Sequence, residues 1–304
     1  MDNQLDLRDL RYFEVIAELG NMRRASKALF RTQPALTGCV HRLEATLGTK
    51  LFERVGRGIR LTSAGEALLA RARLLRIASQ DTVREIGDLG KGLAGLVRIG
   101  TVPTVARYLL PPVSREIIKQ APGITLKTVI GHNNVLRNAL KSGELDVVVS
   151  FTSRSDEDLV SHDILEDEVV VAASRNHPIF RGRVSQKAML DHGWVLAGPG
   201  VATRDWIDHA FVTRGLERPR VQIETNLILL LPALIEQSNL LTFISRRHIG
   251  SERGFRLKEV ASKETTMKRR FAVTYRKDSY LSPAAQRLVD LLRQEGAAMF
   301  QDSR

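Results

Sequence analysis

The sequence predicts an α/β protein in three parts: an N-terminal winged helix-turn-helix, a long helix, and two α/β lobes in series. Three observations predict it. Between Ala25 and Leu47 two helical runs flank a break at Arg31-Thr32-Gln33-Pro34. From Thr62 an apolar seam repeats by fours and threes over about three heptads. Beyond Leu96, strand-like and helix-like stretches alternate almost to the end of the chain.

Leu7, Leu10, Phe13, Val15, Ile16 and Leu19 form a helical stripe that stops at Gly20-Asn21, a C-cap signal. Met22 to Phe30 makes a second helix, with Ala25, Ala28 and Leu29 turned inward. In the third, Leu36, Val40, Leu43 and Leu47 give the core-facing stripe. Thr32 can cap this helix, and Pro34 suits its first turn, where a missing N–H loses nothing. Thr37, Gly38, His41 and Arg42 lie off the stripe, so this is the helix expected to enter DNA. Gly48 ends it, and Leu51 to Leu61 reads as two short strands about Gly56-Arg57-Gly58. That hairpin is a wing, with Arg54, Arg57 and Arg60 placed to reach phosphates or a minor groove.

The seam of the long helix is Leu68, Ala72, Leu75, Ser79, Thr82, Ile86 and Leu89. Such a helix spans roughly 40 Å, too long to pack on a small winged domain by itself, so a second copy of the chain is its expected partner. Gly87, Gly90, Gly92 and Gly95 then mark a linker. In the lobes the expected strands are 97–102, 124–130, 146–150, 168–173, 194–197, 220–225, 240–244 and 270–276. Helices are expected at 106–119, 135–142, 203–214, 229–237 and 283–295. The expected divisions are 1–62, 63–91 and 92–304, with lobe I at about 96–166 and 272–304 and lobe II at about 167–271.

Charge agrees with a polyanionic partner. The 304-residue chain carries a formal +12, and nine basic residues against two acidic ones fall between Asn21 and Arg60. The longest apolar stretch, Leu227 to Ile235, contains Pro232 and is far shorter than the roughly 20 residues that cross a bilayer. The first residues lack a signal-peptide pattern, so a soluble cytoplasmic protein is expected. Cys39 is the one cysteine, which excludes an internal disulfide, and it reads as a small packing residue. His132, His162, His177, His192, His209 and His248 are scattered without ligand spacing, so no metal site is expected. Hydrolase and phosphate-loop motifs are absent, so no catalytic residue and no cofactor are expected. Asp156, Glu157 and Asp158 read as a solvated loop.

In sequence order, ASKAL at 25–29, TQPALT at 32–37, HRLEATLG at 41–48, LFER at 51–54 and GRGIRLTSAG at 56–65 resemble the LysR-type transcriptional regulators. The likeness continues through LVRIG at 96–100, LKSGELDVVV at 140–149, RNHP at 175–178 and GLERPRVQIETN at 215–226. It implies a linker helix that pairs two subunits and a two-lobed effector domain like periplasmic ligand-binding proteins. It also implies tetramers that alter DNA bending when a small molecule binds. The expected partners are double-stranded DNA at a promoter pseudo-palindrome, a small and anionic effector, further copies of the chain, and RNA polymerase; no membrane is expected.

By position, Gln33, Pro34 and Thr37 resemble the family's DNA contacts, with Gln33 suited to adenine and the Thr32 and Thr37 hydroxyls to phosphate. His41, Arg42, Arg54 and Arg57 complete the expected DNA set. The family commonly carries Arg, Lys or Gln where this chain has Gly38. The effector cleft is expected between the lobes, in loops at strand carboxyl ends: Thr101, Pro103, Thr104, His132, Asn133, Phe151, Val201 and Thr203. Helix starts near Pro103 and Thr203 would favour an anion there, such as a carboxylate or sugar acid. A family-typical Gly-x-Gly turn is replaced by Ser238-Asn239-Leu240. The rival reading is an architectural DNA-binding protein without an effector.

Overall fold

The structure, a computed structural model, describes residues 4–56, 58–90, 92–152, 156–249 and 256–302. The chain separates into two compact units, Met1–Leu89 and Gly90–Arg304.

The first unit contains α1 (Leu7–Leu19), α2 (Met22–Leu29), α3 (Gln33–Leu47), β1 (Phe52–Val55), β2 (Gly58–Leu61) and α4 (Ser63–Asp88). Each of its first three helices starts on a side-chain cap. Asp6 accepts from the Arg8 N–H at 2.7 Å, Asn21 from Arg24 at 3.0 Å, and Thr32 from Ala35 at 3.4 Å. The stripes named from the sequence meet in the core through Phe13, Ile16, Ala25, Leu36 and Val40, whereas Leu7 and Leu47, at the outer ends of α1 and α3, are exposed. β1 and β2 pair antiparallel, and the Ile59 N–H donates to Gly20 O at 3.2 Å, which pins the wing to the α1–α2 turn. A Cβ at Gly65 would collide with the Leu51 carbonyl, so only glycine lets α4 start against the base of the wing.

The seam of α4 divides. Leu68 and Ala72 are buried against α1, beside ion pairs Arg76–Glu14 and Arg73–Glu18, both at 3.1 Å. Leu75, Val83, Ile86 and Leu89 remain exposed. The first turns therefore pack within the chain rather than along a continuous seam, because α1 already covers them.

The second unit runs β3 (Gly95–Thr101), α5 (Pro103–Tyr108), α6 (Leu110–Gln120), β4 (Ile124–Ile130), α7 (Asn133–Lys141), β5 (Val147–Phe151) and β6 (Leu159–Ser174). It continues with α8 (Gln186–Leu190), β7 (Gly193–Leu196), α9 (Ala202–Val212), β8 (Val221–Glu224), α10 (Leu231–Glu236), β9 (Leu240–Ser245), β10 (Leu257–Glu259), β11 (Met267–Arg276) and α11 (Pro283–Asp302). Its nine described strands form one sheet, ordered β4-β3-β5-β11-β6-β9-β7-β8, with β10 on β6. At one end β3 lies parallel to β4 and β5; at the other β7 lies parallel to β8 and β9. Between them run β6 and β11, antiparallel to one another and long enough to belong to both lobes. Lobe I has its own core about Val97, Ile99, Ile117, Leu136, Val149 and Leu288, and lobe II another about Val171, Trp194, Ile207 and Phe243.

Several elements differ from the sequence reading: α8 and β10 were not expected, Gly87 and Gly95 of the expected linker lie in α4 and β3, and two further elements have other bounds. The helix expected at 106–119 breaks at Leu109 into α5 and α6, since Pro111 and Pro112 cannot continue a hydrogen-bonded helix. The strand expected at 168–173 begins at Leu159, its polar first half hidden from an apolar-run reading because only one side is buried.

Candidate functional site

On α3, Leu36, Cys39, Val40 and Leu43 face the core, which leaves Gln33, Pro34, Thr37 and His41 exposed on the opposite side. Thr32 is exposed at the N-cap. The turn before α3 is fixed rather than loose. The Arg31 N–H reaches Ser26 O at 3.1 Å, and Arg31 Nε donates to the Tyr12 hydroxyl at 3.0 Å. Arg54 is exposed on the wing; Arg57 lies outside the described residues. Arg60 is tied to Glu53 across the hairpin, an exposed pair worth little to stability.

Arg42, expected among the DNA contacts, is exposed and also paired to a neighbouring helix. Its Nε and Nη2 donate to the two carboxylate oxygens of Asp9 on α1, each at 2.8 Å, and Asp9 is buried. That hydrogen bonding raises the guanidinium pKa further. Cys39, behind it, donates to Asp9 O at 3.3 Å, and burial with the Asp9 charge pushes its thiol up to about 12.

In the second unit a cavity of about 640 Å³ opens between the lobes, within the size range of small-molecule sites. It lies at the carboxyl ends of β3, β4, β5, β7, β8 and β9, where a doubly wound sheet leaves its crevice. Pro103, Thr104, His132, Asn133, Phe151, Val201 and Thr203 all line it. Thr101 does not: it is fully buried in β3, and its hydroxyl has no partner among the described residues. It faces the sheet interior because it is still a strand residue, one position before the turn.

Sequence reading missed the floor of this cavity. Arg269 donates from Nε to Asp167 at 2.7 Å and from Nη2 to the Thr104 hydroxyl at 3.1 Å; Ser245 donates to the other Asp167 oxygen at 2.7 Å. The guanidinium also lies 4.9 Å from the Phe151 ring centroid and 5.0 Å from that of Phe271. Arg269 and Asp167 face each other in the β6–β11 ladder, so the network spans both lobes where the crossing strands run. Arg137 and Arg204 line the walls, held by Asp156 and Asp208. Asp156 is thus no solvated loop residue: Lys141 and Arg137 hold its carboxyl down to about 2. Among the described residues no Asp or Glu lines the cavity and no side chain caps the first N–H groups of α9, whereas in the first turn of α7 the Val135 N–H donates to Asn134 Oδ1 at 2.9 Å.

Two family models match the chain, the bacterial regulatory helix-turn-helix protein of the lysR family over residues 7–66 and the LysR substrate binding domain over residues 90–297. The chain belongs to the LysR family. As a LysR regulator it is a DNA-binding transcriptional regulator with a substrate-binding domain of periplasmic-binding-protein-like fold. Among curated relatives, the HTH-type transcriptional regulator GbpR of Rhizobium radiobacter is 30% identical over 242 residues, covering 78% of this chain and 80% of that protein. Full-length OxyR from Pseudomonas aeruginosa, solved as a Cys-to-Asp variant, superposes with a TM-score of 0.65 at 22% identity, covering 99% of this LysR chain and 96% of OxyR. CbnR in complex with its target DNA superposes with a TM-score of 0.63 at 22% identity, covering 95% and 99%. No described helix is long and apolar enough to cross a membrane.

Proposed function

We propose that the chain regulates transcription at a promoter pseudo-palindrome under the control of a small anionic effector bound between its lobes. The observation that carries this is the inter-lobe cavity itself, lined from both lobes and floored by a polar network on the two crossing strands. A ligand there touches both lobes at once, so it favours the lobe arrangement it fits; equal affinity for all arrangements would shift nothing. The uncapped start of α9, with three arginines and no carboxylate among the described lining residues, supports a carboxylate or sugar acid.

On DNA, Thr32, Gln33, Pro34, Thr37 and His41 of α3 contact the major groove and its phosphates, with Arg54 and Arg57 of the wing alongside. Exposed Val83 and Ile86 on α4, with Leu89 just beyond it, support pairing of two chains, which sets two α3 helices about one helical turn apart. Two such dimers form the tetramer, and RNA polymerase reads the result.

DNase footprinting of the full-length chain, with and without a panel of small acids, tests the reading. One discrete protected palindrome whose extent changes with one acid is the expected result. Uniform protection along any DNA, insensitive to every acid that raises the chain's melting temperature, would favour an architectural binder instead.

A further inference from the structure

We propose that Arg42, aimed by Asp9, reads a guanine edge in the space over Gly38. The proposal rests on α3 being the helix that enters the major groove, and adds a specificity-determining residue to it. Gly38 sits on the border of the exposed face of α3 and offers no side chain. Arg42 lies one turn later, and helical side chains lean back toward the N-terminus. Its Nη1 stands 3.6 Å from where a Cβ on Gly38 would be, so the guanidinium occupies the volume that a longer residue at 38 would fill.

The grip on that guanidinium is two-toothed and comes from beneath. Asp9 is only 4% exposed and belongs to α1, while the Arg42 side chain is 60% exposed. Nε and one N–H of Nη2 are spent on Asp9. The end edge, with one outward N–H on Nη1 and one on Nη2, still offers a bidentate pair of donors. Guanine N7 and O6 present two acceptors matched to it. Because Asp9 offsets the charge, Arg42 is poorly suited to general attraction toward phosphates, whereas the fixed plane suits a directional contact. Asp9 is therefore a positioning residue.

The test uses the full-length chain and a binding site randomised one base pair at a time. Arg42→Lys keeps a cation beside Asp9, so the fold survives, but it lacks the planar fork. The native chain is expected to prefer guanine at one position in each half-site, and Arg42→Lys to cut that preference about 5- to 100-fold while other positions keep theirs. Replacing that guanine by 7-deazaguanine, which removes N7, should weaken the native chain and leave the variant unaffected. Asp9→Asn should relax the same single position, an outcome that general loss of structure would not give. Unchanged preference in Arg42→Lys overturns the proposal. So does weakening that is uniform across sequences with the salt slope lowered by about one, since that marks a phosphate contact. Gln33→Ala, measured in parallel, separates the two levels. If it relaxes its own position while Arg42→Lys changes nothing, only the Arg42 proposal falls; if neither variant alters any preference, the reading of α3 falls with it.

Discussion

Cys39 shows how local surroundings decide what a residue type does. A free thiol has a pKa of about 8.5, and reactive cysteines lie below it, in electropositive and accessible places. Here the thiol is completely buried, donates to Asp9 O, and is pushed up to about 12 by burial and then by the Asp9 charge, which outweighs the lowering from Arg42. At pH 8 the thiolate fraction is on the order of one in ten thousand. The native chain should thus resist an alkylating reagent for hours at pH 8, while the same chain in denaturant is labelled within minutes. Labelling of both at similar rates would mean that the contact between α1 and α3 opens freely, and that Asp9 does not hold a fixed guanidinium.

At the scale of elements, what was legible in the sequence was what periodicity and turn chemistry can encode. The α3 stripe, its Thr32 cap, the wing about Gly56 and most strand positions follow from local pattern, and seven of the eight expected cleft residues line the cavity because strand carboxyl ends are predictable from strand order. Arg269 and Asp167 were not legible. They oppose each other only through the register of β6 on β11, across about a hundred residues of chain, and no local signal marks that register. The pairing of Arg42 with Asp9 was hidden for the same reason, the two lying on different helices. The buried pair also makes a strong prediction. Arg269→Met keeps most of the side-chain volume but leaves Asp167 buried with Ser245 as its main remaining support. Removing one partner of a buried pair costs about 3–5 kcal/mol, so chemical denaturation of the second unit should show a loss of that size. Asp167→Asn in the same chain should recover part of it by removing the uncompensated charge. A loss below about 1 kcal/mol would mean that water enters and solvates Asp167.

For the molecule as a whole, the two units carry separate tasks and separate cores, so conditions that weaken one need not weaken the other. Acid distinguishes them. His248 in the second unit is 1% exposed, donates from Nδ1 to Ser245 O at 3.3 Å, packs edge-on to Tyr108, and has no partner on Nε2 among the described residues. Burial holds its pKa at about 4, reinforced by Arg107 and Arg269 and opposed by the Ser245 hydrogen bond and Asp167. The unfolded chain binds this proton at about 6.5, the folded one only near 4, so stability present at neutral pH is lost as pH falls across that window. The full shift corresponds to about 3 kcal/mol. Asp156 extends the loss below it: its folded pKa of about 2 lies under the unfolded value, so its contribution disappears between about 4 and 2. Thermal unfolding of the second unit, followed in the full-length chain from pH 7 to pH 4, should therefore move steadily downward. In His248→Gln, which stays neutral throughout, the decline between pH 6.5 and 4 should be shallower whatever its stability at pH 7, the remainder coming from groups such as His177 and His162, whose pKa values burial also lowers. An equal slope in both proteins would show that His248 takes up its proton without unfolding, and that the contact with Tyr108 yields to it.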